Sequence, residues 1–326
     1  MKIFRKILIT GLCVLSTVVF TACGSDSEKT KEVNIGYFNN VTHAQALLMK
    51  ANGSLEETLG DDVTVKWTAF NAGPAEQEAL FAGDIDIGYI GPVPAITANA
   101  KSNGDVQILS SATQGGAILV KRKGVEINDI SDLSGKTVAI PQIGNTQNLC
   151  LLNLLSENGL APTTSGGDVT ISAIANADVA NTMERGDIDA ALVPEPWGAT
   201  LLEKGAEMAL DYDEIYLEGK YDVAVVVVRK EFMEENPELV EKFLEAHTAA
   251  TETINSDLET SLETINQELD DATGKSLSES IIKDAFTRIG ISTELNKESL
   301  SGFAQISKEQ GFIDEIPEND SLYVNP

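Results

Sequence analysis

The sequence predicts an α/β protein of two lobes, built on mostly parallel sheets and joined by a two-stranded hinge. Three observations carry this. Short apolar strands alternate with helical stretches along most of the chain, the order that βαβ units produce. A strand–turn–helix pattern at Gly83-Asp84-Ile85-Asp86-Ile87-Gly88-Tyr89-Ile90-Gly91-Pro92-Val93-Pro94-Ala95 begins again at Gly186-Asp187-Ile188-Asp189-Ala190-Ala191-Leu192-Val193-Pro194-Glu195-Pro196-Trp197-Gly198-Ala199. A chain of 326 residues is also long for a single hydrophobic core. The repeat extends further: Thr42 matches Thr146, Leu47-Leu48 matches Leu151-Leu152, and Val63-Thr64 matches Val169-Thr170. Two similar units are therefore expected to aim helix N-termini at one shared cleft.

At the N-terminus, Lys2, Arg5 and Lys6 precede an apolar run from Ile7 to Phe20. That is the order of an export signal. The run is short for a retained span, which needs about 20 apolar residues. Thr21-Ala22-Cys23 and the polar stretch to Glu32 follow. This segment resembles a bacterial lipoprotein signal, which implies a signal peptide over 1–22, lipidation of Cys23 and a linker over 23–32. Cys150 is then the one cysteine left in the exported part, so no internal disulfide is expected there.

Val33–Tyr37 reads as the first strand, with Asn40 or Thr42 as cap of a helix from about His43 to Leu59. Val63–Trp67 alternates as a strand, Pro74–Phe81 is helical, and Ile85–Ile90 is a strand. Pro92 opens the next helix, where its missing N–H costs nothing. Val106–Ser111 and Ala117–Val120 read as strands separated by a loop. Thr137–Ile140 begins a second unit, with a helix from about Asn148 to Asn158, a strand over Asp168–Ile174 and a helix over Asp178–Arg185. Five of the six residues from Val223 to Val228 are valine, so this strand should be central and covered on both faces. From Pro237 to Asp270 the apolar spacing is helical, as it is near 278–288 and 295–310. The tail after Phe312 is polar and is expected to be loose. The chain would cross between lobes twice, with 33–115 and 222–326 forming lobe one and 116–221 lobe two.

A net charge of −28 argues against nucleic acid and anionic lipid surfaces as partners. The chain has two histidines, His43 and His247, with no paired metal-ligand spacing. No enzyme activity, metal or cofactor is expected from these residues, and His247 reads as part of a surface helix.

Ligands of open parallel sheets sit beyond the C-terminal strand ends. Four exit loops qualify, 38–43, 91–94, 141–147 and 194–197, and none holds a lysine or arginine. They offer Asn39, Asn40, Thr42, His43, Gln142, Asn145, Thr146 and Gln147, with backbone N–H groups at Gly91, Val93 and Gly144 beside Pro92. A helix N-terminus carries unpaired N–H groups and an effective charge of about +0.5, which suits a small oxyanion. Phe38, Tyr89 and Trp197 flank these loops as walls for an apolar ligand tail. Glu195 is placed either to accept from a ligand amine or to cap its own helix. Gly115 and Asp222, at the two crossings, complete the candidate set.

Ile35-Gly36-Tyr37-Phe38 with Thr42-His43, then Gly83–Gly88, Asp132-Leu133-Ser134-Gly135-Lys136-Thr137-Val138-Ala139 and Glu195-Pro196-Trp197 together resemble the aliphatic-sulfonate, taurine and nitrate group of ABC-importer substrate-binding proteins. The resemblance runs from about Val33 to Gly311. It implies a periplasmic-binding-protein-like fold, a permease and ATPase as partners, a monomer tethered outside the cell membrane, and capture by lobe closure. Within that group the neutral Asn, Thr and Gln loops resemble those of sulfonate binders more than those of nitrate binders. Taurine, nitrate, a phosphorus oxyanion or a thiamine-precursor pyrimidine stand as alternatives within the same role, and a pyrimidine-synthase-like enzyme as a remote one.

Overall fold

The computed structural model describes Lys31–Val324. The expected signal peptide, Cys23 and residues 23–30 of the linker lie outside the described residues. The strands are β1 (Lys31–Phe38), β2 (Val63–Phe70), β3 (Ile87–Ile90), β4 (Val106–Gly115), β5 (Ala117–Lys121), β6 (Thr137–Ile140), β7 (Thr170–Ala173), β8 (Ala190–Pro194), β9 (Glu207–Leu210), β10 (Asp222–Arg229) and β11 (Ile289–Ile291). They form two sheets, ordered β11-β4-β10-β3-β1-β2 and β7-β6-β8-β5-β9.

The βαβ units pair in parallel, β1 with β2 and β3, and β6 with β7 and β8. The strands that carry the chain between sheets pair antiparallel, β10 with β3 and β4 and β5 with β8 and β9, and so does the edge strand β11 with β4. Parallel pairing needs a helix crossover, whereas a strand that enters from the other sheet is free of that constraint.

Each sheet is buried on two faces. Along β10, Val225 and Val227 join one apolar cluster, while Ala224, Val226 and Val228 join another. Alternate side chains point to opposite faces, and this accounts for the near-continuous valine run. The first of these clusters also takes Leu119, Val138, Ile140 and Leu192, so one apolar body reaches both sheets. Ile118, Val120, Ala139 and Val193 cover the far side of the second sheet with the helix Asn176–Glu184.

The two crossings lie side by side. Gly115 N donates to Tyr221 O at 2.9 Å. Gly115 and Gly116 have φ of 70° and 76°, and an added Cβ would come within 2.7 Å of Arg288 O and 2.3 Å of Ile289 Cγ2. Glycine is required here by both backbone and space.

Several local expectations are corrected. β1 begins at Lys31, inside the stretch read as linker, because Lys31 and Glu32 pair with Val63 and Thr64. The first helix is broken at Gly53, whose φ is 70°. β4 runs on through the stretch read as loop, because Gln114 pairs with Asp222 of β10 and Gly290 of β11. The helix after Pro237 ends at Ser256 and restarts at Leu258, capped by the Asp257 carboxylate on Thr260 N. The tail is not loose: Ile313, Leu322 and Tyr323 are buried, and Val324 N donates to Ile108 O at 3.0 Å. One buried apolar residue at 313 and an adjacent buried pair at 322–323 in a polar segment give no periodic signal. β9 and β11 are short edge strands that no alternation announced.

Candidate functional site

Six strand ends face one cavity. From the first sheet come Phe38, Asn40, Thr42 and His43 after β1, Asn71, Ala72 and Gly73 after β2, and Gly91 and Pro94 after β3. From the second come Pro141, Asn145, Thr146 and Gln147 after β6, Asn176 after β7, and Pro194 at the end of β8, with Val223 of β10 beneath. The cavity volume is about 30 Å³.

Four helices start at this cavity: Gly73–Ala82, Pro92–Lys101, Thr146–Glu157 and Asn176–Glu184. Each is long enough to carry a dipole, and their positive ends converge. No lining residue is charged. The cavity is therefore electropositive through peptide groups, with amides and hydroxyls as donors.

The two half-shells touch. Val93 N, in the first turn of Pro92–Lys101, points at Thr146 Oγ1, 3.5 Å away. Gly91 allows this approach, since a Cβ there would stand 2.5 Å from that oxygen. On the same rim Gly144 faces Pro74. Trp197 Nε1 donates to Asn40 Oδ1 at 2.8 Å.

Thr146–Glu157 is held by its own loop. Asn145 is the N-cap, its Oδ1 accepting from Asn148 N at 2.8 Å. Asn145 Nδ2 donates to Gln147 Oε1 at 3.0 Å, and Gly144 N to Asn148 Oδ1 at 2.9 Å. The loop is thus held by its own hydrogen bonds.

His43 stacks on Phe38 with ring centroids 4.3 Å apart. Phe38 N donates to His43 Nδ1 at 3.2 Å, so Nδ1 is an acceptor and the neutral ring carries its proton on Nε2. Burial pushes the His43 pKa down to about 3. His43 is a neutral donor, in keeping with the uncharged wall.

The structure gathers Phe38, Asn40, Thr42, His43, Gly91, Asn145, Thr146 and Gln147 from the sequence-derived set around the cavity. The others do not line it, although Val93, Gly144 and Trp197 stand at its rim. Pro92 and Val93 form the buried first turn behind Gly91, and Asn39 Oδ1 is buried without a partner among the described residues. Tyr89 does not reach the cavity; its hydroxyl meets His247 Nδ1 at 2.7 Å inside the core. His247 is not on a surface face: it is fully buried, and its Nε2 meets Ser111 O at 2.9 Å. A carbonyl only accepts, so Nε2 carries the proton and Nδ1 accepts from Tyr89. Burial pushes the His247 pKa down to about 4.

Asn40 and Thr42 do not cap a helix with their side chains; Asn40 is held by Trp197 instead, and Thr42 O accepts from Thr113 Oγ1 at 2.7 Å. Gly115 lies at the crossing. Asp222 also stays there, accepting from Ser111 Oγ at 2.6 Å and Asn296 N at 2.9 Å. Burial raises its pKa. Glu195 caps its own helix, Oε2 accepting from Ala199 N at 2.9 Å, and pairs with Arg288 at 3.0 Å. Burial pushes its pKa up to about 7 against these partners. Asn71, Ala72, Gly73 and Asn176 were missed, although Val63-Thr64 and Val169-Thr170 mark β2 and β7 as a repeated pair whose exit loops belong to the same rule.

Residues 26–266 match the NMT1-like family. The chain belongs to that family. This NMT1-like chain is 31% identical over 235 residues to the taurine-binding periplasmic protein of Escherichia coli (strain K12), covering 72% of this chain and 68% of that one. Its fold is similar to the alkanesulfonate-binding protein SsuA from Xanthomonas axonopodis pv. citri bound to MOPS, with a TM-score of 0.72 at 22% identity over 88% and 94% of the two chains. It is similar as well to the periplasmic nitrate-binding protein NrtA from Synechocystis PCC 6803, with a TM-score of 0.73 at 16% identity over 90% and 84%. The two-sheet architecture of this NMT1-like protein is thus a periplasmic-binding-protein fold.

Proposed function

We propose that this protein is the substrate-binding component of an ABC importer and that its ligand is an aliphatic sulfonate. One observation carries the reading: four helix N-termini converge on a cavity whose wall holds no charged side chain. A sulfonate stays ionised at every physiological pH and presents three oxygens. Peptide N–H groups, Thr146, Asn145 and His43 match that headgroup without a cation to compete for it. The similarity to taurine- and alkanesulfonate-binding proteins supports the same class.

A second reading keeps the headgroup and adds an amine, as in taurine. Asn176 Oδ1 favours it, being buried at the cavity without a partner among the described residues and able to accept from an ammonium.

In this reading the two sheets are the cores of two lobes, 33–115 with 222–326 and 116–221, hinged at Gly115–Gly116 and Tyr221–Asp222. A cavity of about 30 Å³ admits a sulfonate only when the rims part. Closure then puts the anion where Thr146 Oγ1 now faces Val93 N. The protein is exported, monomeric and lipid-anchored through Cys23, and it delivers its ligand to a membrane permease driven by a cytoplasmic ATPase.

Calorimetry and thermal melting against methanesulfonate, taurine, nitrate and phosphate test the assignment. A sulfonate at millimolar concentration raises the melting temperature, because a ligand that binds only the folded state stabilises it by mass action. A shift with nitrate or phosphate and none with either sulfonate overturns it.

A further inference from the structure

Three carboxylates converge on Arg288. Its Nη1 lies 3.0 Å from Glu195 Oε1 and 2.8 Å from Asp284 Oδ2, and its Nε lies 3.2 Å from Asp211 Oδ1. Asp284 is one turn back in the helix Glu279–Phe286. Glu195 and Asp211 follow β8 and β9 of the second sheet. Arg288 itself precedes Ile289, which pairs with Gly115 at the end of β4. The cation therefore belongs to the first sheet and two of its anions to the second.

The side chain of Arg288 is 10% exposed and that of Glu195 is not exposed at all. Exposed ion pairs contribute little, but a buried pair that loses one partner is strongly destabilised. The Arg288–Glu195 pair is the buried member of this cluster and joins the two sheets in this placement, while the Asp211 and Asp284 side chains are about half exposed. A second contact repeats the link. Glu203 Oε1, at the end of the helix Trp197–Glu203, accepts from Ser278 Oγ at 2.9 Å and Ser280 Oγ at 3.0 Å. Residues 195–203 are thus tied at both ends to residues 278–288. Between those ties stands Trp197, whose indole reaches Asn40 on the opposite rim.

We propose that Arg288 is a positioning residue for the ligand cleft: by gripping Glu195 and Asp211 it seats the Glu195-Pro196-Trp197 turn so that Trp197 meets Asn40, and so holds the cleft closed on a bound anion. Arg288 does not line the cavity; it acts through Glu195 and Trp197. The ligand arm of this inference rests on the sulfonate reading, and the closure arm does not.

The test uses a Trp67→Phe background, which leaves Trp197 as the one tryptophan. Acrylamide quenching of Trp197 is measured without ligand, and stopped-flow release is measured with methanesulfonate and taurine. Arg288→Gln roughly doubles the quenching constant and speeds release on the order of tenfold, with association little changed. Arg288→Lys, which keeps the charge but loses the fork, falls between. A folded Arg288→Gln protein with parental quenching and parental release overturns the proposal, and so does one that merely melts lower. If Arg288→Gln does not fold, Arg288→Lys alone takes its place with the same two outcomes. If neither sulfonate binds the parent, the sulfonate reading fails and quenching alone decides the role of Arg288.

Discussion

Trp197 Nε1 donates to Asn40 Oδ1 at 2.8 Å, joining the first helical residue beyond β8 to the loop that leaves β1. The two residues lie far apart in the chain and belong to opposite halves of the repeat. Trp197 thus links the two rims through its indole N–H.

Asn40→Ala and Trp197→Phe each remove that bond. Each is expected to weaken sulfonate binding by about 0.5–1.5 kcal/mol, the contribution of one neutral hydrogen bond. The double variant should be scarcely worse than either single one, which calorimetry on a double-mutant cycle reads directly. Fully additive losses would mean that the two side chains act separately.

Thr146→Val and Asn145→Ala separate binding from folding. Thr146→Val removes a donor at the tip of the helix and should cost about 1.5–3 kcal/mol of binding to an anion, with little change in melting temperature. Asn145→Ala loses the cap on Asn148 N as well, so stability should fall by about 1 kcal/mol. Unchanged affinity in both would remove this loop from the site.

The two histidines set an acid limit. Burial holds their folded pKa values at about 3 for His43 and about 4 for His247, below the ordinary 6.5. As pH falls below 6.5 the unfolded chain takes up protons that the folded chain refuses. The stability they confer is therefore complete above 6.5 and declines toward 4 and 3. By pH 5 the loss should be about 2 kcal/mol for each. Urea unfolding between pH 5 and 8 measures it, and His247→Gln should remove close to half of the slope.

Glu76 pulls the other way. Its carboxyl is fully buried against Gly36 and Gly88, both oxygens lack partners among the described residues, and burial raises its pKa well above 4.5. Its contribution is present below the unfolded pKa and is lost as pH rises through the folded one. Glu76→Gln should melt higher than the parent at pH 8 and converge with it at pH 4. A variant that is equally displaced at both pH values would show that ionisation is not the cause. Gly36→Ala should destabilise, because its Cβ would stand 2.2 Å from Glu76 Oε1, and Glu76→Ala in the same chain should relieve it.

The order of strands and helices was legible because it is written in local periodicity, in Gly and Pro at turns, and in the repeat that starts at Gly83 and again at Gly186. The central position of Val223–Val228 was legible for the same reason. Eight of the proposed site residues meet at the cavity because they stand at strand ends, a position that local pattern reveals. His247 misled because it stands between Glu245 and Glu252 within its helix, while its own partners, Tyr89 and Ser111, come from distant strands.

What the sequence by itself determined is the inventory: two matching α/β units, exit loops without cations, and helices that begin where those loops end. Only the tertiary structure decided the partners. Glu195 meets Arg288, Asn40 meets Trp197, and Asp222 meets Ser111 and Asn296. Secondary structure follows from near neighbours in the chain. A buried polar group instead takes whichever complementary group the packed sheets bring within about 3 Å, and that choice belongs to the whole fold.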